Sequence, residues 1–162
     1  MRWEIVVHRG RRAVFHGQSD HAIDEKGRVS IPARFRDVLQ REGHDRMYIT
    51  NFIFEREKLL ELYPPAEWER MVAKFAERRT GDRAAQLFET FYIGGAHEVQ
   101  VDRQGRILIP PKLREFAGLS REVTFSARHN RFQLWDRTAL ERIWKSAQEQ
   151  LADPEFLAKI DF

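Results

Sequence analysis

The chain repeats one ten-residue motif, and this repeat is the feature that most constrains its fold. The sequence "IDEKGRVSIP" at residues 23–32 returns as "VDRQGRILIP" at residues 101–110, an offset of 78 residues. Each half of the 162-residue chain therefore predicts the same supersecondary unit. Further on, "LYPPAEWERM" (62–71) aligns with "LWDRTALERI" (134–143) at an offset of 72, which leaves six extra residues in the first half. We expect them in a tolerant loop within residues 42–60.

Each motif predicts a β-hairpin that leads into a short helix. Asp24 and Gly27 suit a type I turn that ends in a left-handed residue, and Asp102 and Gly105 repeat the pattern. Apolar residues alternate with polar ones after each turn, which is typical of a half-buried strand. A proline then ends each strand and suits the first turn of a helix. Each unit should therefore open with a two-stranded ribbon.

Further strands and helices follow from the pattern of apolar residues. Short strands are predicted in "RMYIT" (46–50), "LLELY" (59–63), "EVTFSA" (122–127) and "RFQLW" (131–135). Helices are predicted over about 65–79, over about 82–92 and from about 137, the last with Asp136 as its N-cap. We expect the large aromatic side chains of these elements in the core, namely Trp68, Phe75, Phe88, Phe91, Trp135 and Trp144.

These elements predict an α+β fold of two tandem, pseudo-symmetric units. The division is a basic N-terminal extension (1–14), a first unit (15–80), a connecting helix (81–94), a second unit (95–151) and a C-terminal tail (152–162). A unit of this size buries a small core, so we expect the units to pack on each other or on further copies of the chain.

The residues argue against an enzyme, a metal site and a cofactor. The chain has no cysteine, which excludes disulfides, thiolate zinc sites and cysteine nucleophiles. Its six histidines are scattered, and "HEVQ" (97–100) lacks the second histidine of the HExxH zinc motif. No Gly-rich phosphate loop or GxSxG elbow is present. No apolar run approaches the ~20 residues of a membrane span, so we expect a soluble, cytoplasmic protein.

The arginine that follows each turn glycine suggests a DNA-reading ribbon. If Val29 faces the core, Arg28 faces outward, and Arg106 does the same in the second motif. Lys26 and Arg103 lie at the two turn tips. A two-stranded ribbon fits the major groove of B-DNA, where arginine pairs bidentately with guanine O6 and N7. A type I turn does not require arginine after its glycine, so its presence in both copies favours a function.

Basic residues at the start of each predicted helix could reach the phosphates that flank such a contact. They are Arg34, Arg36, Lys112 and Arg114. The alternative is that these four side chains form ordinary solvated helix faces. Asp24 and Asp102 are expected to cap their turns rather than to take part in chemistry.

The chain resembles the MraZ family, the double-motif members of the SpoVT/AbrB-like, swapped-hairpin DNA-binding proteins. The resemblance covers about residues 15–150 and rests on the two D-x-x-G-R-[hydrophobic]-x-I-P motifs, on "LYPPAEWERM", on "LREFAGL" and on "NRFQLWD". It implies a swapped-hairpin β-barrel with flanking helices, and DNA contacts by Lys26 and Arg28 in the first motif and by Arg103 and Arg106 in the second. Gln133 stands where the family has an acidic residue, which bears on an interface salt bridge rather than on the fold.

The resemblance also implies a function. Family members are bacterial, nucleoid-associated transcriptional regulators that bind direct repeats in the promoter of their own division and cell-wall operon. They form ring-shaped homo-oligomers, for which we expect an octamer, and we expect this chain to repress its operon. Two rival hypotheses are an antitoxin-like DNA-binding protein and an oligomeric assembly protein without a DNA role. An enzyme with a pocket between subunits is a further alternative.

Overall fold

The computed structural model describes residues 12–78 and 81–161 of the chain. Its strands are β1 (Gln18–Ala22), β2 (Arg28–Ser30), β3 (Arg46–Phe54), β4 (Glu57–Tyr63), β5 (His97–Gln100), β6 (Arg106–Leu108), β7 (Glu122–Arg128) and β8 (Arg131–Asp136). Its helices are α1 (Ala33–Arg41), α2 (Pro65–Ala76), α3 (Arg83–Phe88), α4 (Pro111–Phe116), α5 (Arg137–Leu151) and α6 (Pro154–Leu157). One π-helical turn (Glu89–Ile93) continues α3. Residues 1–11 of the predicted basic extension lie outside the described residues.

Strands from both halves of the chain interleave in one antiparallel sheet. The strand order is β1-β7-β8-β4-β3-β5, so β1 of the first half pairs with β7 of the second, and β4 pairs with β8. Within the described part of the chain, β1 and β5 are the edges, and the sheet stays open rather than closing into a barrel. The mixture of helices and antiparallel strands is the α+β architecture expected from the sequence.

The strand pairing of the two motifs differs from the local hairpins that the sequence suggests. Each tight turn does form, since the Asp24 amide donates to the Arg28 carbonyl and the Gly27 amide donates to the Asp24 carbonyl. However, β2 pairs with β6 of the other motif and not with β1. The two motifs therefore build one shared two-stranded ribbon, β2–β6.

The sheet separates two layers of buried side chains. On one face, the ribbon residues Val29 and Ile107 join Phe35 of α1 and Leu113 of α4 in the main core cluster. On the other face, Trp68 of α2 packs with tyrosines of the sheet and of the π-helical turn, while α5 covers Trp135. Strand β4 lies between the layers, so both of its faces are buried. The main core thus fixes the ribbon directly onto the sheet.

The extra residues of the first half form strand rather than loop. Residues 42–60 contain β3, a tight turn and the start of β4. Glu55 and Arg56 make this turn with φ of 49° and 67°, and the ladder runs from Tyr48 opposite Tyr63 to Phe54 opposite Glu57. Positive φ at both central residues matches the right-handed twist of the strands. The predicted loop is therefore an extended β-hairpin.

Helix α5 differs from the sequence prediction at two residues. Asp136 occupies the N-cap position, but its side chain accepts from the amide and hydroxyl of Ser120 (3.3 and 2.7 Å) and caps no helix N–H. Trp144 was expected in the core, yet 53% of it is exposed. Leu140 is buried, so α5 packs on the sheet only near its N-terminus.

A buried polar network crosses the sheet on the α2 side. Glu61 is 1% exposed and accepts from Arg131 Nε (2.9 Å), from Gln133 Nε2 (2.9 Å) and from the Tyr92 hydroxyl. Gln133 accepts in turn from Trp135 Nε1 (3.2 Å). Gln133 therefore acts within the chain, because its amide both donates to the buried carboxylate and accepts from the indole.

No helix in residues 12–78 or 81–161 combines the length and apolar character needed to cross a membrane.

Candidate nucleic-acid interface

The outer face of the β2–β6 ribbon carries both motif arginines. Arg28 lies opposite Leu108, and Arg106 lies opposite Ser30, while the central pair Val29 and Ile107 points into the core. Diagonal neighbours on such a ribbon are about 7–8 Å apart. The two arginines therefore share one outward surface at opposite corners, as the alternation of the sequence predicts.

An aspartate of the same turn orients each arginine. Asp24 Oδ1 accepts from the backbone amides of Lys26 and Arg28, both at 2.9 Å, and its Oδ2 accepts from Arg28 Nε at 2.7 Å. In the second motif, Asp102 bonds to the amide and Nε of Arg106 at 2.9 Å each. One carboxylate thus closes the turn and also restrains the guanidinium that follows it.

The hydrogen bond from each arginine Nε to its turn aspartate, which we call the tether, leaves the end of the guanidinium group available for a ligand. Among the described residues, the terminal Nη groups of Arg28 and Arg106 have no hydrogen-bond partner, because Asp24 and Asp102 engage only Nε. The side chains are 32% and 28% exposed. Two parallel Nη donors match the O6 and N7 acceptors of guanine.

The turn hydrogen bonds also perturb the two carboxylates. The amide of Arg28 lowers the pKa of Asp24 below its ordinary value, and the Arg28 side chain adds to the effect. The pKa of Asp102 is lowered in the same way by the amide and side chain of Arg106. Both aspartates are therefore ionised at neutral pH and hold their arginines by charge-assisted hydrogen bonds.

Four of the other predicted contact residues are exposed around the ribbon. Lys26 and Arg103 lie at the turn tips, and Arg34 and Lys112 lie in the first turns of α1 and α4. All four are exposed to solvent. These four cations and the two motif arginines make the surroundings of the outer face of the ribbon basic.

Arg36 and Arg114 occupy a different environment from the other six predicted residues. Both are partly buried, and each approaches the turn of the opposite motif. A Cβ built on Gly27 would lie 3.6 Å from Arg114 Nη1, and one built on Gly105 would collide with the Arg36 guanidinium. Arg36 Nε is buried and has no hydrogen-bond partner within residues 12–78 and 81–161. These two arginines therefore pack the motifs together and are not simple solvated helix faces.

One exposed apolar residue of the ribbon was missed in the sequence. Leu108 is 55% exposed and lies beside Arg28 on the outer face. The alternation of Ile107, Leu108 and Ile109 already marked it as outward, but an isolated surface leucine is common and attracts no notice. On DNA, an apolar side chain at this point could contact a thymine methyl group.

Metal-binding groups and cavities in the described residues can be compared with the position of the ribbon. No group of three or more His, Asp or Glu side chains in residues 12–78 and 81–161 could hold a metal ion. Two cavities, of about 370 and 660 Å³, are lined by other parts of the chain, and no ribbon residue lines either of them. The outer face of the ribbon is thus separate from both of these cavities.

Comparison with known proteins identifies the family of the chain. The family model described as "MraZ protein, putative antitoxin-like" matches twice, over residues 14–91 and 92–158. Proteins named transcriptional regulator MraZ are similar over most of the chain. Those of Shewanella oneidensis and Shewanella baltica are 39% and 38% identical, over 90% of this chain and 97% of their own length.

The protein of the same name from Thioalkalivibrio sulfidiphilus is 35% identical over 87% of this chain and 94% of its own length. These relatives are named as regulators of transcription and not as enzymes, in agreement with the expectation from the sequence. Both the double match and the identities span the two motifs that build the ribbon. The chain therefore belongs to the MraZ family.

Proposed function

We propose that this protein is a transcriptional regulator that binds DNA in a sequence-specific manner through the outer face of the β2–β6 ribbon. The observation that carries the proposal is the pair Arg28 and Arg106. They share one outward face, an aspartate restrains each, and their terminal donors are unoccupied within the described structure. A restrained arginine loses less side-chain entropy on binding than a free one, which favours base recognition.

The eight predicted residues divide into three roles. Arg28 and Arg106 read base edges in the major groove. Exposed cations contact phosphates and set the register, namely Lys26, Arg34, Arg103 and Lys112. Arg36 and Arg114 hold the turns of the opposite motif and act through them.

Membership of the family supports a more specific proposal for the target and the assembly. The relatives are named transcriptional regulators, and for this chain we propose direct repeats in the promoter of its own division and cell-wall operon as the target, with repression as the outcome. A swapped-hairpin arrangement and a ring-shaped homo-oligomer, with eight copies as the leading number, would present successive ribbons to successive repeats. Many weak contacts of this kind gain by avidity when they engage together. The protein would then act in the cytoplasm at the nucleoid.

The test is DNA binding by the double variant Arg28→Ala/Arg106→Ala. DNA from upstream of the gene and a scrambled duplex are compared at several salt concentrations, and light scattering verifies normal assembly. We expect the preference for the upstream DNA to be lost, since each bidentate contact contributes about 1–3 kcal/mol of discrimination.

The matched control is Arg34→Ala/Lys112→Ala, which also removes two cations. It should weaken binding to both duplexes alike and lower the slope of log K against log salt by about two. Equal binding by wild type and by Arg28→Ala/Arg106→Ala, with assembly intact, would overturn the proposal.

A further inference from the structure

The C-terminal arm, residues 141–161, has no fully buried side chain, and its contacts with the sheet are made near its start by Ile143 and Arg142. It comprises most of α5, the whole of α6 and the residues after it. Large apolar side chains are nevertheless exposed along it, namely Trp144 (53%), Leu151 (42%), Leu157 (48%) and Ile160 (40%). Helices in water obtain most of their stability from packing an apolar face. The composition of the arm therefore indicates that it packs against something beyond its own chain.

A cavity of about 660 Å³ on the α2 and α3 side of the sheet has the complementary character. Aromatic and thioether side chains form its apolar wall, among them Phe52, Met71, Phe75 and Phe88. This volume is in the range that binds a compact ligand or a few side chains. No residue of the arm lines the cavity of its own chain. An arm that fills it must therefore come from another copy.

The charges of the two surfaces are opposite. Among the described residues that line the cavity, arginine and lysine outnumber carboxylates by five to three. Two of those carboxylates, Glu61 and Glu67, are already paired with Arg131 and Arg70. Lys74 forms no ion pair with any residue in the described ranges. Within the described residues, the cavity therefore offers Lys74 as a cation without an ionic partner.

The end of the arm carries the matching negative charge. Asp153, Glu155 and Asp161 stand against the single cation Lys159 in residues 152–161. Leu157 and Ile160 lie among these carboxylates and are exposed. An acidic segment with two aliphatic side chains fits an apolar cavity with a cationic rim.

We infer that the α6 end of the arm from one copy docks into the α2–α3 cavity of a second copy. Leu157 and Ile160 contact the apolar wall, and the acidic residues around them lie near Lys74. The contact joins two different surfaces, so each copy can give an arm and receive one. The inference rests on the proposed self-association of the protein and assigns a surface to it.

The absence of native cysteine allows a direct cross-linking test. One preparation carries Leu157→Cys, and a second, with a longer affinity tag, carries Lys74→Cys. The two are mixed, allowed to exchange subunits and treated with a short bismaleimide. Because each chain has one thiol, every cross-link joins two copies. The matched control replaces the second chain by Lys112→Cys, an exposed lysine outside the cavity.

We expect a cross-linked species of mixed tag size from Leu157→Cys with Lys74→Cys, and at least tenfold less with Lys112→Cys. Cross-links only between two Leu157→Cys chains would show arms packed on each other and would overturn the inference. Suppose that light scattering shows the mixture to be assembled and exchanged, and that the species of mixed tag size is still absent. This result would also overturn the docking inference, while leaving the proposed oligomer intact. A protein that stays monomeric at all concentrations would refute both the docking and the proposed oligomer, whereas the DNA-binding experiment tests the ribbon separately.

Discussion

The Arg36 guanidinium lies over Gly105, at the point where any other residue would place its Cβ. Arg36 belongs to the first motif, and Gly105 belongs to the turn of the second. Backbone hydrogen bonds also join each motif to the turn glycine of the other. The Ile31 amide donates to the Gly105 carbonyl (2.9 Å), and the Ile109 amide donates to the Gly27 carbonyl (3.0 Å). Each motif therefore depends on the other for the geometry of its own turn.

The substitution Gly105→Ala should destabilise the protein more than Gly27→Ala. Both glycines have positive φ, 74° and 83°, where alanine costs about 1–2 kcal/mol. Only at Gly105 must the partly buried guanidinium of Arg36 move as well. Urea unfolding measures the two free energies, and we expect an excess of about 1 kcal/mol for Gly105→Ala.

A double-mutant cycle isolates the contact between Arg36 and Gly105. In an Arg36→Ala background, the excess cost of Gly105→Ala should disappear, while that of Gly27→Ala stays the same. An excess that persists without the Arg36 side chain would show that the guanidinium is not its source.

Titration of the two turn aspartates should give midpoints below that of free aspartate. The pKa values of Asp24 and Asp102 are lowered chiefly by the amides of Arg28 and Arg106, and less by their side chains. The pKa of Asp24, followed by NMR through its carboxyl carbon, should therefore remain below that of free aspartate in Arg28→Ala. Only part of the lowering should be lost. A return to the free value would assign the effect to the guanidinium instead.

The lowered pKa values of Asp24 and Asp102 also determine how the stability of the fold changes with pH. A carboxyl whose folded pKa is lowered stabilises the fold above its unfolded pKa, near 3.8, and this contribution disappears as the pH falls through the folded pKa. Near neutral pH, Asp24 and Asp102 should therefore not contribute to the slope of the free energy of unfolding against pH. Below about pH 4 the free energy of unfolding should decline, and this decline should be weaker in Asp24→Asn/Asp102→Asn.

Asp24→Asn/Asp102→Asn should reduce the specificity of DNA binding without abolishing binding. Asparagine can still accept the turn amides, but it does not hold a guanidinium by charge. The freed arginines lose restraint, which costs about 0.5–1.5 kcal/mol for each side chain ordered on binding. Removing two negative charges also strengthens non-specific binding.

We therefore expect the ratio of specific to non-specific affinity to fall roughly tenfold. Competition assays with upstream and scrambled duplexes measure this ratio. Glu25→Gln removes an exposed charge from the first turn tip without touching an arginine, and it should leave specificity nearly unchanged. An equal loss in Glu25→Gln would mean that net charge, rather than the tether, controls the ratio.

Glu61→Gln should destabilise the fold strongly, whereas Glu57→Gln on the same strand should not. Glu61 is buried and pairs with Arg131, whose side chain is 22% exposed. Loss of one partner from such a pair costs about 3 kcal/mol. Glu57 pairs with Arg142, which is 58% exposed, so its loss should cost less than about 1 kcal/mol. Thermal and urea unfolding of both variants provide the comparison, and similar costs would contradict the assigned role of the network.

Local sequence signals predicted the turns, the outward arginines and most elements correctly. They failed where the partner of a surface lies far along the chain. Alternation around Val29 identifies the buried face of β2, but it cannot say whether β1 or β6 pairs with it. The spacing of Trp144 marks an apolar helix face without saying that this chain covers it. The contact of Arg36 with Gly105 likewise cannot be predicted without knowing how the two motifs pack together.

The pairing of β2 with β6 also determines how the outer face of the ribbon responds to dilution. A ribbon assembled from two separate chains would come apart at low concentration, whereas here both strands are covalently joined and meet as an intramolecular event. The spacing between Arg28 and Arg106 is consequently the same in every molecule at any protein concentration. Dilution can then change how many ribbons act together, but not the composition of any one of them.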